Sequence, residues 1–253
     1  MLIVVSPAKK LDFEAPAPTD KFTQPTELEK SKLLIKELRK CDPKEISSLM
    51  KLSDSLTQLN VQRYKDFKTP FNLKNAKQAM FAFKGDTYVG LDAETMKAKD
   101  IDYAQKHLRI LSGLYGLVSP LDLVQPYRLE MGTKFACGKN KNLYEFWRES
   151  ITEKLNGLLK KEKTLVNLAS KEYFSAINIK NLHADIITPA FKEKKGDDYK
   201  MVGFFAKKAR GMMSRYIIDH RIEEPKDLLK FDVDGYQYNK KLSSQREPVF
   251  TRG

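Results

Sequence analysis

Short apolar runs along the chain predict the strands of the fold. Leu2 to Val5 is a compact β-branched run, which predicts a buried strand ending at Ser6-Pro7. Thr164 to Leu168 is a second such run, and it ends at Ala169-Ser170. Further strands are predicted over Gln78 to Phe83, Ile186 to Phe191 and Tyr199 to Phe205, the last two joined as a hairpin by the turn at 195–198.

Apolar residues spaced three or four apart predict amphipathic helices between these strands. The helices run from about Thr26 to Lys40, from Pro43 past Leu59, from Asp100 to Leu111, from Asn142 past Leu158, and from Ala206 to His220. Asp42-Pro43 and Asn142 with Glu145 are typical helix starts. Because strands and helices alternate irregularly, the fold class is a mixed α/β (α+β) arrangement in a single domain over residues 1–253.

Charge adds information that the hydrophobic pattern lacks. The 253 residues are 41% hydrophobic and include 46 Lys+Arg against 33 Asp+Glu, a net charge of +13. A positive field attracts polyanions, although a lysine-rich surface also serves solubility. Many of these lysines are assigned to ordinary solvated helix faces, namely Lys30, Lys36, Lys160, Lys161 and Lys163.

Several classes of protein are disfavoured. Cys41 and Cys137 form neither a CxxC motif nor a disulfide framework, and the three histidines are widely separated. We therefore expect no metal site and no cofactor. The first apolar run is too short for a signal peptide or a membrane span, so a cytoplasmic protein with no membrane partner is expected.

Three strand-to-loop junctions carry unusual polarity and supply most of the candidate chemistry. They are 5–10 (VSPAKK), 167–173 (NLASKEY) and 205–211 (FAKKARG). Ligands collect outside the carboxyl ends of strands in open α/β sheets, and lysines there suit phosphate. Any one junction taken singly is better explained as a solvated turn, and the argument for a ligand site depends on all three together. The candidate phosphate-binding residues here are Lys9, Lys10, Lys207, Lys208 and Arg210.

The 100° spacing of residues around a helix predicts which side chains of the last helix share a face. Lys207, Arg210 and Ser214 share one stripe. The opposite side is predicted to pack inward and consists of Ala209, Met213, Tyr216 and Ile217. With a start at Ala206, the cations would lie near the helix N-terminus, where the dipole disfavours them. That placement favours a bound anion, the alternative being a plain surface helix.

Residues 102–124 have the outline of a helix-hairpin-helix element. A helix containing Arg109 would lead into a turn with Gly113 and Gly116, and Ser119-Pro120 would begin the second helix. In such motifs hairpin N–H groups and nearby cations hold a DNA phosphate without reading sequence. The glycine spacing is irregular, and a tight αα turn is the alternative.

The sequence contains no GxSxG, P-loop or GxGxxG motif, so no common catalytic class is indicated. Glu130 is flanked by apolar residues and is predicted to pair with Arg128 or another cation. An enzyme acting on a nucleotide or on damaged nucleic acid remains an alternative, because the junctions are chemically varied. Its candidate catalytic residues are Ser6, Lys9, Asn167, Ser170 and Tyr173.

Several segments resemble the peroxide stress protein YaaA family, and together they span essentially the whole chain. They include LIVVSPAKKLDF, FKGDTYVGLDAE, RILSGLYGLVSPLDLVQPYRLEMGT, VNLASKEYF, FFAKKARGMMSRYII and the tail motif GYQY. The resemblance implies an unusual fold specific to the family, a deep basic cleft, a helix-hairpin-helix and DNA binding. It adds Arg215 to the cations expected to line that cleft. It also implies survival of hydrogen peroxide, lowering of free intracellular iron and protection of DNA.

Three functional hypotheses follow, with a monomer expected in each. The leading one is binding of duplex DNA, including damaged or branched DNA, largely without sequence specificity. The second is the enzyme described above. The third, direct iron binding, is disfavoured because the chain has few His and Cys residues and no carboxylate motif with ligand spacing.

Overall fold

The computed structural model describes residues 1–253. Its strands are β1 Leu2–Val5, β2 Lys10–Leu11, β3 Lys77–Gln78, β4 Phe83–Lys84, β5 Leu108–Ser112, β6 Gly116–Val118, β7 Leu123–Val124, β8 Thr164–Leu168, β9 Asp185–Ile187, β10 Ala190–Lys195, β11 Asp198–Lys200, β12 Gln237–Tyr238 and β13 Val249–Arg252. Its α-helices are α1 Leu28–Leu38, α2 Pro43–Met50, α3 Asp54–Asp66, α4 Ala79–Ala82, α5 Asp86–Leu91, α6 Ala98–His107, α7 Leu143–Glu162, α8 Lys171–Phe174 and α9 Gly203–His220. The mixed α/β class is confirmed.

The central sheet has five strands in the order β6-β5-β1-β8-β9. Strands β5, β1, β8 and β9 are parallel, and β6 returns antiparallel beside β5. The register pairs Val5 with Leu168, so β1 and β8 end side by side. The segments that follow these two strands therefore leave the sheet at the same edge.

A second sheet of four strands, β11-β10-β13-β12, and two short ribbons complete the β structure. The buried hydrophobic side chains form one connected cluster of 67 residues. Every residue of β1 is buried, because helices cover a parallel sheet on both faces. No helix in the structure combines the length and the apolar character needed to cross a bilayer.

Most predicted elements are present, but several boundaries differ. The strand predicted from Ile186 to Phe191 is two strands, because β9 pairs in the central sheet whereas β10 pairs in the second sheet and forms the hairpin with β11. The second predicted helix is two helices, because Lys51 adopts a left-handed conformation with φ of 53° and separates α2 from α3. The segment predicted as a strand from Gln78 to Phe83 contains the helical turn α4, whose residues are all buried and so carry no periodicity. The predicted strand from Tyr199 ends at Lys200, and α9 begins at Gly203.

The earlier start of α9 changes the electrostatic argument. Lys207 lies in the second turn of α9 and Arg210 lies in the third, whereas dipole effects fall off within the first turn. The prediction that these cations oppose the helix dipole is therefore wrong. The inward face is confirmed in part, since Ala209, Met213 and Ile217 are fully buried whereas Tyr216 is half-buried. Ser214, predicted on the cationic stripe, is buried as well.

The helix-hairpin-helix prediction for residues 102–124 is also wrong. Helix α6 ends at His107, and 108–118 form a β-hairpin within the central sheet. Leu108 and Leu111 fit a helical repeat from Ile101, but Val4 of β1 pairs with Arg109 as a parallel strand neighbour. Sheet pairing overrides the helical spacing here, and β7 with its preceding turn replaces the second helix.

Two glycines allow α5 and α9 to touch through their backbones. A Cβ atom on Gly90 would lie 2.1 Å from the carbonyl oxygen of Lys208. A Cβ atom on Gly211 would lie 1.8 Å from the carbonyl oxygen of Thr87. Neither position has room for a side chain. Glycine at both positions therefore allows α5 and α9 to cross this closely.

We expect Gly211→Ala to lower the free energy of unfolding by at least about 1–3 kcal/mol, because the added methyl forces α5 and α9 apart. Urea denaturation followed by circular dichroism measures this change. Gly157→Ala is the matched control, since no atom lies within 4 Å of its added Cβ in α7. That substitution should stabilise the protein by roughly 0.5–1 kcal/mol. Equal effects at the two positions would contradict the packing argument.

Candidate functional site

A cavity of about 420 Å³ lies where the ends of β1 and β8 meet α5 and α9. Its lining includes Ser6 to Lys10 after β1, and Leu168, Ser170 and Tyr173 from β8 and α8. Lys207 and Arg210 of α9 complete the set drawn from the three junctions. We call this cavity the strand-end cleft. The three polar junctions thus meet at one place in the fold.

The lining contains more basic than acidic side chains. Lys9, Lys10, Lys84, Arg128, Lys207 and Arg210 provide six cations, and Asp86, Glu130 and Glu172 provide three carboxylates. Two lysines, Lys10 and Lys84, are directly opposite each other in the antiparallel β2–β4 ribbon. Like charges placed so closely destabilise a strand pair.

Half of the cleft cations are neutralised by ion pairs. Lys9 contacts Glu130 at 2.7 Å, and Arg128 contacts the same carboxylate at 3.3 Å. This confirms the prediction that Glu130 pairs with a cation. Lys84 contacts Glu94 at 2.8 Å and Asp12 at 3.4 Å, which offsets its repulsion from Lys10.

The other three cations, Lys10, Lys207 and Arg210, have no carboxylate within ion-pairing distance. Arg210 is half-buried, and burial lowers the pKa of its guanidinium without an opposing charge to offset the effect. A half-buried cation with no counterion is costly to desolvate. The cleft therefore carries its excess positive charge on these three side chains.

The inner wall of the cleft is built from tyrosines. Tyr88, Tyr127 and Tyr173 are all buried, and burial raises the pKa of each phenol, so all three are neutral at physiological pH. Tyr88 donates a hydrogen bond to the carbonyl oxygen of Ser6 at 3.1 Å. The Tyr127 hydroxyl is 2.6 Å from Ser112 Oγ. These hydrogen bonds hold the tyrosine side chains of this wall in place.

A pair of serines joins the ends of β1 and β8. Ser6 Oγ accepts a hydrogen bond from the backbone N–H of Ser170 at 2.9 Å, and it donates to Ser170 Oγ at 3.3 Å. Neither hydroxyl has a histidine or carboxylate partner that would activate it as a nucleophile. Their observed role is to hold the two strand ends together.

Three other residues predicted for the site lie outside the cleft. Lys208 pairs with Asp234 at 3.3 Å, and Arg215 is held by Asp219 at 2.8 Å and by the carbonyl oxygen of Asp92. Asn167 accepts from the backbone N–H of Ala169 and so shapes the turn after β8. The cleft lining does not include these three residues.

The three candidates from the 102–124 segment are part of the core. The Arg109 guanidinium is buried and donates to the carbonyl oxygens of Gln105 and Leu108 at 2.9 and 2.6 Å. A Cβ on Gly113 would lie 2.1 Å from Leu129 O, and Gly116 has a φ of +71° and packs on Trp147. These glycines serve close packing, and the structure brings none of the three to the cleft.

Sequence reasoning missed the part of the lining contributed by 84–88 and 127–129. Lys84, Asp86 and Tyr88 surround the start of α5, and Tyr127 follows the β-hairpin segment. The signal available was Gly85 between Lys84 and Asp86, which marks a turn into a helix. It was not distinguishable from an ordinary turn.

Comparison with known proteins supplies the family. The sequence model described as peroxide stress protein YaaA matches residues 1–242. The chain belongs to the peroxide stress protein YaaA family. This confirms the resemblance inferred from the motifs.

Full-length relatives of the YaaA family agree with that assignment. A UPF0246 protein of Colwellia psychrerythraea is 54% identical over 254 residues, which cover 100% of this chain and 99% of the relative. UPF0246 proteins of Shewanella loihica and Cellvibrio japonicus are 54% and 53% identical, each covering 100% of this chain and 98% of the relative. These names state no activity, so the chemistry of the cleft is argued from its residues.

We expect Ser6→Ala to reduce the free energy of unfolding by about 1–2 kcal/mol, because it leaves the backbone N–H of Ser170 without its acceptor. Ser170→Ala keeps that acceptor, so its effect should stay within about 0.5 kcal/mol. Urea unfolding of the two variants measures the difference. A larger loss for Ser170→Ala would contradict the assigned direction of these bonds.

Proposed function

We propose that this YaaA-family protein binds DNA through the strand-end cleft, mainly by contacts to phosphate and with little dependence on base sequence. The partner is duplex DNA, including damaged or branched DNA. The observation that carries the proposal is the set of three unpaired cations, Lys10, Lys207 and Arg210, in a cavity formed by strand ends. A phosphate oxygen would supply the counterion that the half-buried Arg210 lacks.

The family description adds a physiological setting. A peroxide stress protein that covers DNA would limit the access of oxidants to it, and this is the role we propose for the cleft. Binding that depends on phosphates suits such a role, because protection is needed irrespective of base sequence.

We propose that any lowering of free iron by this protein is indirect. The structure contains no group of three His, Cys, Asp or Glu side chains placed to hold a metal ion. Equilibration of the purified protein with Fe²⁺ followed by gel filtration and metal analysis tests this. Stoichiometric iron in the protein peak would overturn it.

Lys207→Ala combined with Arg210→Ala should weaken binding of duplex DNA and flatten its salt dependence. Each lost phosphate contact removes about 0.9 from the slope of log affinity against log salt, so a decrease of up to about 1.8 is expected. Fluorescence anisotropy with a labelled duplex at about 50 to 200 mM salt measures both quantities.

Lys160→Ala combined with Lys161→Ala is the charge-matched control, since both lysines are exposed near the end of α7. This control should bind DNA nearly as well as the unmodified protein. If the two double variants lose equal affinity, net charge rather than the cleft accounts for binding. Unchanged affinity in the cleft variant would refute the proposal.

A second candidate function is an enzyme that acts on a nucleotide or on damaged nucleic acid. It is favoured by the 2.7 Å contact of the Lys9 ammonium with Glu130, which places a potential acid–base pair at the cleft. Incubation with nucleotides and damaged oligonucleotides, followed by chromatography, tests for turnover. A product whose formation stops in Lys9→Ala would support this function, and no product from any substrate would exclude it for those substrates.

A further inference from the structure

A second concave basic surface lies away from the strand-end cleft, between α1 and the segment that follows α3. It is lined by eight residues, which are Lys32, Ile35, Lys36, Arg39, Lys40, Phe67, Lys68 and Thr69. Five of the eight are basic and none is acidic. We call this surface the α1 groove. The packing of α1 against residues 67–69 forms this groove. From the sequence alone, Lys36 is expected on an ordinary solvated helix face.

The shape of the groove is fixed by buried polar contacts. The Arg39 guanidinium donates to the carbonyl oxygens of Tyr64 at 2.7 Å and Phe67 at 2.6 Å, which ties α1 to the end of α3. The buried side chain of Gln125 accepts from the backbone N–H of Lys68 at 3.1 Å and donates to its carbonyl oxygen at 3.0 Å. Both walls are therefore held in place without any ligand.

Two of the groove lysines are free to bind an anion. Lys36 and Lys68 are exposed and form no ion pair. Lys32 and Lys40 pair only with Glu29 and Glu37 on α1 itself, at 2.7 and 2.8 Å. Such exposed ion pairs contribute little to stability, so a phosphate can replace the carboxylate as the partner of each lysine. Lys32 and Lys36 are spaced four residues apart on α1, so they lie in one row, and Lys40 follows two residues after the end of the helix.

The α1 groove is connected to the strand-end cleft through α3. The Tyr64 hydroxyl donates to the carbonyl oxygen of Arg128, whose side chain lines the cleft. Tyr64 precedes Phe67 of the groove by one helical turn, which is roughly 5 Å. The buried Tyr64 side chain therefore links the segment that forms one wall of the groove to the segment that lines the cleft.

Arg63 lies on this connection and extends the positive surface between the two sites. It forms no ion pair, and burial is the main cause that lowers the pKa of its guanidinium, with a smaller contribution from the charge of Arg128. Arg63 therefore adds an unpaired cation next to Tyr64, between Phe67 of the groove and Arg128 of the cleft. Several cations spread over such a surface suit a chain of phosphates better than a single small anion.

We propose that the α1 groove is a second binding site for the phosphate backbone of the same nucleic acid whose other contacts lie in the strand-end cleft. The proposal rests on the proposed function and adds to it a footprint that runs from the cleft past Arg63 to Lys36 and Lys68. Duplex DNA carries one charge per about 1.7 Å of its axis, so a duplex that contacts both surfaces presents several phosphates to them.

The experiment compares a long and a short ligand. A labelled duplex of roughly 30 base pairs is long enough to span both sites. A 5′-phosphorylated dinucleotide is too short to span them and is expected to bind in the cleft. Lys36→Ala combined with Lys68→Ala should weaken duplex binding several-fold and lower its salt slope by up to about 1.8. The same variant should bind the dinucleotide as the unmodified protein does. Fluorescence anisotropy over a salt series gives the duplex values, and competition against the duplex gives those of the dinucleotide.

Two control variants separate the groove from general charge. Lys160→Ala with Lys161→Ala removes the same charge from α7 and should leave the duplex slope unchanged. Lys36→Arg with Lys68→Arg keeps the charges in the groove and should retain the original slope. Urea midpoints should match among all these variants, because the substituted lysines are exposed.

The outcomes distinguish this inference from the proposed function. If the cleft variant loses duplex binding while the groove variant keeps both affinity and slope, the second site is overturned and the cleft stands. If neither ligand binds the unmodified protein, both proposals fail. Equal losses in the groove variant and the α7 control would also overturn the second site, since bulk charge would then explain the effect.

Discussion

The contact between the backbones of α5 and α9 is the constraint on which the strand-end cleft depends. Gly90 and Gly211 bring the two helices together with no side chain between them. Residues at the start of α5 and in the second and third turns of α9 then form facing walls of one cavity. A longer separation would move Lys207 and Arg210 away from the ends of β1 and β8. The positions of the unpaired cations therefore follow from the absence of two Cβ atoms.

Much of the fold was predictable because its core elements have strong local signals. The apolar runs at 2–5 and 164–168 are the adjacent central strands, and the stripe of α7 is buried through Trp147, Ile151 and Leu155. Prediction failed where burial is complete or where sheet pairing competes with helical spacing. Leu108 to Leu111 satisfies both patterns, and only the pairing with β1 decides between them.

The candidate site was predictable in outline from the general rule about strand ends. Ser6, Lys9, Ser170 and Lys207 came from that rule, and all line the cleft. The rule could not exclude Lys208, which is next to Lys207 in sequence. Successive residues of a helix point 100° apart, so Lys208 faces away from the cleft and pairs with Asp234. Nor could it separate Lys36 from other exposed lysines, because its neighbour Lys68 comes from a distant segment. Ion pairing, which decides which cations are free, is a property of tertiary structure.

The edge strands of the two larger sheets are all short. Strands β6, β9 and β11 have three residues each, and β12 has two. An edge this short offers few unpaired N–H and C=O groups to a strand of another molecule. Both sheets consequently resist growth by lateral addition of strands, which limits aggregation through their edges.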